Sequence, residues 1–259
     1  MTNATSFSAP PHIAATGLCG KPVDFDWDED DTLQYHDRTS KQLAARVLPL
    51  SPRAQLALAA GIAEWVVWRL HGLAELDDVR QFVEAVWAGV ADYRYVIEWT
   101  RPQDRELTGP VLQPQWIAAR LLDDVLLTGM RRVPTQEETM NLAFLAQHVV
   151  KGNRAYKSWL KDVTERLAKI SPISDYTREY FKTLRHTPEE REAFDWGAPV
   201  PRAAMDTTTE YHESQANQLI DGYLRQLDPS SNRFLNSKEQ LRAAGFDGEP
   251  YTFPGPRES

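Results

Sequence analysis

An almost unbroken apolar stretch covers residues 54–70, and it constrains the fold more than any other feature of the chain. Its only strongly polar side chains are those of Gln55, Glu64 and Arg69. Ser51 and Pro52 precede it as an N-cap and a first helical residue, and Gly72 follows it where a helix would end. A helix that is apolar on most sides is buried on most sides. The stretch therefore predicts a central helix that other elements must surround.

Helical periodicity continues through the following residues to about residue 227, and alternating β-branched runs are almost absent. Other long helices are predicted at 77–97, 135–152, 153–170 and 206–227, and a polar break at 101–114. Capping boxes are predicted at Thr135 and Ser237, and a cap followed by proline and acidic residues is predicted at Thr187. The expected fold is all-α, either an irregular multi-helix bundle or a short helical solenoid with irregular termini.

The pattern divides the chain into three parts. Residues 1–37 form an acidic, largely irregular N-terminal segment, residues 38–227 a helical domain, and residues 228–259 a C-terminal appendage with one short helix. No fixed repeat period is present. One large domain with appendages at both ends is the expected organisation.

Composition limits the classes of function. The chain has 259 residues, 42% of them hydrophobic, which is enough for a substantial core. Its net charge of -8 argues against a dedicated nucleic-acid binder, which needs surplus Lys and Arg. The only cysteine is Cys19, and neither a secretory signal nor a stretch long enough to span a membrane is visible. We expect a cytoplasmic protein with no membrane partner.

The negative charge is concentrated near the start of the chain. The first 37 residues contain seven acids against Lys21 alone, and six of the acids lie between residues 24 and 31. Runs of like charge usually remain solvated and often bind partners, and the aromatic rings at 25 and 27 could act as anchors. We expect partner binding by Asp24, Asp26, Trp27, Asp28, Glu29, Asp30 and Asp31.

The acidic run has two alternative roles, calcium binding and intramolecular docking. A calcium-binding EF-hand loop that starts at Asp24 needs glycine at its sixth position and glutamate at its twelfth, where this chain has Glu29 and Tyr35. Intramolecular docking has a candidate surface, a basic stripe on one predicted helix. The stripe consists of Lys151, Arg154, Lys157 and Lys161. The same stripe could bind anions or nucleic-acid phosphates.

No complete catalytic or metal-binding motif is visible. The pair Asp123 and Asp124 lacks the third carboxylate of a magnesium-diphosphate site, and His212 has Ala216 where a zinc helix needs a second histidine. Glu64 is the carboxylate whose pKa burial would raise, unless an arginine such as Arg94 pairs with it. We expect no catalytic residue, no metal and no cofactor, and the sequence favours a protein that is not an enzyme.

Three functions remain. The first is a non-catalytic bacterial interaction protein, most simply an immunity-type inhibitor that binds and neutralises a basic toxin domain. The alternative is a helical-bundle enzyme or small-ligand-binding protein with a pocket lined by Trp65 and Glu64. The second alternative is a nucleic-acid-associated regulator that uses the basic stripe.

Overall fold

A computed structural model describes residues 7–74, 77–100, 107–183 and 185–253. Its regular structure in those ranges is helical, and residues pair in β fashion only as isolated bridges. The all-α prediction is confirmed. The α-helices are α1 (Pro11–Ala14), α2 (Lys41–Val47), α3 (Pro52–Leu70), α4 (Asp77–Ala91), α5 (Gly109–Met130), α6 (Gln136–Val149), α7 (Arg154–Ile170), α8 (Asp175–Tyr180), α9 (Pro188–Glu192), α10 (Ala216–Gln226) and α11 (Lys238–Ala243). Short 3-10 helices lie at Thr32–Tyr35, Tyr93–Tyr95, Arg202–Met205 and Glu213–Gln215.

Helix α3 is the centre of the bundle. Sixteen of its 19 residues are buried, and α4, α5, α6 and α7 pack around it. The Ser51 hydroxyl accepts a hydrogen bond from the Ala54 amide at 3.2 Å, which is the predicted N-cap. A Cβ at Gly61 would lie 3.2 Å from the Met205 sulfur and 3.3 Å from the Trp159 ring. The glycine therefore allows neighbouring segments to approach the helix closely.

Helix α4 ends at Ala91, so the prediction that it reaches residue 97 is wrong. The Asp92 side chain accepts a hydrogen bond from the Arg94 amide at 2.9 Å and starts a 3-10 turn. Beyond that turn, the Ile97 amide donates to the Phe234 carbonyl at 2.8 Å. A local side-chain acceptor and a distant backbone partner thus replace the helical hydrogen bonds.

The expected break at 101–114 and the expected helix at 206–227 also have different boundaries. The expected break at 101–114 lies partly outside the described residues, and α5 already begins at Gly109 with Pro114 inside it. Residues 206–212 do not continue α10 toward the N-terminus. Asp206 Oδ1 instead accepts hydrogen bonds from the amide and hydroxyl of Thr208 at 3.0 and 2.6 Å, a local turn that competes with helix formation.

The capping box at Ser237 is confirmed, and the predicted cap at Thr187 also forms a capping box. The one at Thr135 is wrong, because its side chain forms no cap hydrogen bond. The Thr135 hydroxyl donates instead to Gln55 Oε1 at 2.8 Å. That bond joins the start of α6 to one of the three polar side chains of α3.

Both ends of the described chain pack against the helices. Phe7, Ile13 and Phe25 belong to the same hydrophobic core as Phe234 and Tyr251. The last of these also donates its amide to the Tyr95 hydroxyl at 3.1 Å. The irregular segments before α2 and after α10 therefore share one core with the helical part.

Candidate functional site

The acidic run lies against the surface of the bundle with its aromatic side chains turned inward. Phe25 is buried and Trp27 is half-buried, whereas the six acidic residues between 24 and 31 are exposed. The alternation places apolar rings on one side of the segment and carboxylates on the other. The run thus contributes to the core and forms a charged surface at the same time.

Four aromatic rings fix the segment to α6. The Trp27 ring stacks on Tyr35 with centroids 4.7 Å apart, and Tyr35 stacks on His148 of α6 at 4.1 Å. Phe25 meets the same imidazole edge-on at 5.4 Å. Pairs of this kind contribute about 0.5–1.5 kcal/mol each beyond their burial. Burial lowers the pKa of His148, so the ring is neutral at pH 7.

Arg69 of α3 is the main polar anchor of the segment. Its side chain is only 2% exposed, and its guanidinium donates to the carbonyl oxygens of Lys21 and Pro22 and to the Asp24 carboxylate, the last at 2.9 Å. Lys151 Nζ donates to the Asp24 carbonyl at 2.6 Å. These contacts explain why an arginine occurs in the apolar stretch of α3.

Helix α5 holds the other end of the run. The Trp27 indole donates to Gln113 Oε1 at 2.7 Å, and the Gln113 amide donates to the Glu29 carbonyl at 3.2 Å. The Gly109 amide, at the start of α5, donates to the Glu29 carboxylate at 2.8 Å. A carboxylate at a helix N-terminus is stabilised by the helix dipole.

Intramolecular docking therefore occurs on α3, α5 and α6 rather than on the basic stripe. Lys151 is the member of the stripe that contacts the run, and it does so through a backbone carbonyl. Lys161 lies 3.9 Å from Glu165 on its own helix, and the other two bases are exposed. Helix α7 buries its opposite, apolar face as predicted.

Several carboxylates of the docked segment still face solvent. Asp24 and Glu29 are engaged as described, and Asp28 Oδ1 accepts a hydrogen bond from the Asp30 amide at 3.0 Å. Asp26, Asp30 and Asp31 form no ion pair with any base in the described ranges. We call the four carboxylates of Asp26, Asp28, Asp30 and Asp31 the acidic surface.

Glu64 and Trp65 lie in the core instead of lining an open pocket. Glu64 is fully buried, and its Oε1 accepts a hydrogen bond from Arg202 Nε at 2.6 Å. Pairing with Arg94 is wrong, because that arginine binds Asp92. Burial raises the pKa of Glu64, and the charge of Arg202 opposes the rise.

His12 is a second buried titratable group close to this pair. Its ring stacks on Trp159 with centroids 5.5 Å apart, and neither ring nitrogen has a hydrogen-bond partner among the described residues. Burial lowers the pKa of His12 to about 4, with a smaller opposing effect from Asp206. The histidine is therefore neutral at pH 7.

The other candidate residues are separate from one another. Asp123 is buried and accepts the Trp99 amide at 3.1 Å, and burial raises its pKa to about 6. His212 is exposed, and so is Cys19, whose thiol pKa is raised by partial burial. Across the described ranges, no three His, Cys, Asp or Glu side chains are close enough to hold a metal ion.

No protein-family model, no curated protein and no solved structure matches this chain. None of the helices in the described part is long and apolar enough to cross a membrane. Function therefore has to be inferred from the surface and the cavities of this chain.

Sequence reasoning missed two features. One is the set of contacts that fixes the acidic run, although an arginine inside an apolar helix signals a need for an acceptor. The other is a cavity beside Arg53 and Trp196, where the ends of three helices meet. The polar first turn of α3 was the only local indication of that cavity.

Proposed function

We propose that this protein is a non-catalytic interaction protein whose acidic surface binds a basic partner protein, as an immunity-type inhibitor binds and neutralises a toxin. One observation carries the proposal. The carboxylates of the acidic surface point to solvent from a segment whose other side is fixed to three helices by Arg69, His148 and Gln113.

A fixed segment favours binding because little conformational entropy is left to lose when a partner arrives. A flexible tail with the same charges would have to be ordered during association. Several like charges on one surface also attract an oppositely charged partner over a distance and accelerate the encounter. Both effects favour fast association with a basic surface.

The partner chemistry follows from the charge. A toxin that acts on nucleic acid carries a surplus of Lys and Arg where it meets phosphates. An acidic surface bound there would occupy the same basic groups and exclude the substrate. Inhibition by occlusion requires no catalytic residue in the inhibitor.

In this proposal Trp27 holds the acidic segment on the bundle and does not itself contact the partner. Its ring is half-buried between the segment and the bundle, and its indole donates to Gln113. Trp27→Ala would loosen the segment that presents the acidic surface. We expect it to weaken partner binding indirectly, with increased proteolysis of the segment as the distinguishing sign.

The test is association kinetics with the partner that copurifies from the source cells, measured at two salt concentrations. The variant replaces Asp26, Asp28, Asp30 and Asp31 with asparagine. The matched control changes four exposed acids elsewhere, Asp162, Glu165, Glu210 and Glu213, to the corresponding amides. Both variants have the same net charge and should retain the fold, because exposed substitutions change stability by about 0.5 kcal/mol or less each.

We expect the first variant to associate about tenfold more slowly at low salt and to lose most of the salt dependence, while the control remains close to the wild type. Equal slowing in both variants would show that association depends on the net charge of the protein and not on the position of the acidic surface. Unchanged association in the first variant would refute a role for the acidic surface.

A further inference from the structure

A cavity of about 270 Å³ opens where the N-terminus of α3 meets the C-terminal ends of α4 and α5. The residues that define its character are Arg53, Leu56, Tyr93, Leu126, Met130 and Trp196. Most of these side chains are apolar, and the Tyr93 and Trp196 rings lie with centroids 5.6 Å apart. Apolar walls with a few convergent polar groups are typical of small-molecule sites.

Arg53 is the unusual group in this cavity. Its side chain is half-buried, and its guanidinium forms no hydrogen bond or ion pair with any residue in the described ranges. A guanidinium carries five N–H donors, and removing them from water without an acceptor is costly. Burial accordingly lowers the pKa of Arg53.

The two acids whose charges act on Arg53 already accept hydrogen bonds from other donors. Both oxygens of Asp92 accept hydrogen bonds from Arg94, from Nε to Oδ1 at 3.0 Å and from Nη2 to Oδ2 at 2.7 Å. Asp195 Oδ1 accepts the Gly197 amide at 2.8 Å. Among the charged residues that line the cavity, Arg94 and Asp92 neutralise each other, and Arg53 contributes one positive charge that Asp195, outside the lining, offsets only in part.

We propose that the cavity binds a small monocarboxylate with an aromatic or branched apolar body, its carboxylate on Arg53 and its body against Trp196 and Tyr93. Guanidinium and carboxylate match in a two-point hydrogen bond. Arg53 lies in the first turn of α3, at the positive end of that helix dipole, whereas α4 and α5 turn their negative C-terminal ends toward the cavity, so the guanidinium itself must supply the attraction for the carboxylate. This site is independent of the acidic surface and of any protein partner.

The single positive charge selects the class of anion. A phosphate monoester carries close to two charges at pH 7, and the second would enter an apolar cavity without a partner. A monocarboxylate places its one charge on Arg53 and brings no second charge into the cavity. A volume just below the 300 Å³ or so at which drug-sized sites begin also favours a small ligand.

The test is calorimetric titration of the full chain with 3-phenylpropionate at pH 7. Two comparison ligands are 3-phenylpropionamide, which has the same shape without the charge, and phenyl phosphate, which carries more charge. Arg53→Met removes the guanidinium, and Leu56→Trp fills the cavity while retaining Arg53. The control is Arg46→Met, a half-buried arginine of α2 outside the cavity.

We expect saturable binding of 3-phenylpropionate by the wild type and by Arg46→Met, and a loss of about tenfold or more in affinity for the amide and for Arg53→Met, as for a charged hydrogen bond. Leu56→Trp should abolish binding while circular dichroism remains that of the wild type. Equal affinity for acid and amide, tighter binding of phenyl phosphate, undiminished binding by Arg53→Met, or no saturation by about 10 mM would each overturn the proposal.

Discussion

Replacing Arg202 by methionine should destabilise the protein strongly, because Glu64 would remain buried without its counter-ion. The carboxylate is fully buried and lies 2.6 Å from the guanidinium. Breaking a buried ion pair by removing one partner costs about 3–5 kcal/mol. Arg202 also donates to the Ser8 carbonyl at 2.6 Å and lies over the Phe7 ring at 4.3 Å, so the start of the described chain loses an anchor as well.

The stability lost in Arg202→Met should increase with pH. Without Arg202 the main effect that opposes burial is lost, and the pKa of Glu64 rises further above its ordinary value of 4.5. Above that value the unfolded chain has released its proton while the folded state retains it. Stability of the variant therefore falls as pH rises from about 4.5, by about 1.4 kcal/mol per unit until the folded-state pKa is reached.

Urea unfolding of the wild type, Arg202→Met and the double variant Arg202→Met/Glu64→Gln at pH 5 and pH 8 measures both effects. Arg202→Met should lose more stability at pH 8 than at pH 5, and adding Glu64→Gln should recover most of the difference. The contribution of the Ser8 and Phe7 contacts should not be recovered. An equal loss at both pH values, with no recovery in the double variant, would refute the reasoning.

Three further predictions follow from buried groups and close contacts. The wild type should lose about 3 kcal/mol of stability as pH falls from 6.5 to about 4, because the unfolded chain takes up a proton at His12 and the folded state does not. His12→Phe should abolish this loss. Urea unfolding between pH 4 and 7 measures the difference. Gly197→Ala should lower the melting temperature far more than Gly245→Ala, because both glycines have positive φ but only the first would place a Cβ 2.2 Å from Ser51; equal shifts would contradict this. Arg69→Met should destabilise by about 1.5–3 kcal/mol, because two backbone carbonyls and the exposed Asp24 carboxylate lose a charged donor, and should expose residues 21–40 to limited proteolysis. Unchanged protection would show that the aromatic rings alone fix the segment.

Most of the caps and apolar patterns in the sequence predict the helices that the structure contains. Helix α3 was predictable because its cap, its first-turn proline and its apolar composition act within a short stretch. The capping box at Thr135 failed because Gln55, 80 residues away, takes its hydroxyl as a donor. The end of α4 failed because Asp92 turns the chain and residue 97 finds a strand-like partner near residue 234. At both places the local helix signal failed because a donor found an acceptor far away in the sequence, Gln55 Oε1 or the Phe234 carbonyl.

The candidate site likewise has one part that the sequence predicts and another that depends on tertiary contacts. The composition of the acidic run and its aromatic residues were visible in the sequence, whereas its supports were not. Arg69 and His148 lie 45 and 122 residues from the atoms that they bind. The cavity at Arg53 is formed by three helix ends and a loop that are neighbours only after packing. Such sites depend on tertiary contacts that no local pattern specifies.

The pairing of Glu64 with Arg202 also bears on the order of events during synthesis. The ribosome makes the glutamate 138 residues before the arginine that neutralises it. A nascent chain that has extruded only the first seven helices must keep this carboxyl protonated or hydrated, so its core cannot close around a charged group. Ser8 and Phe7 depend on the same guanidinium and were made earlier still. Phe7 and Ser8 therefore reach their final positions only after Arg202 has been translated.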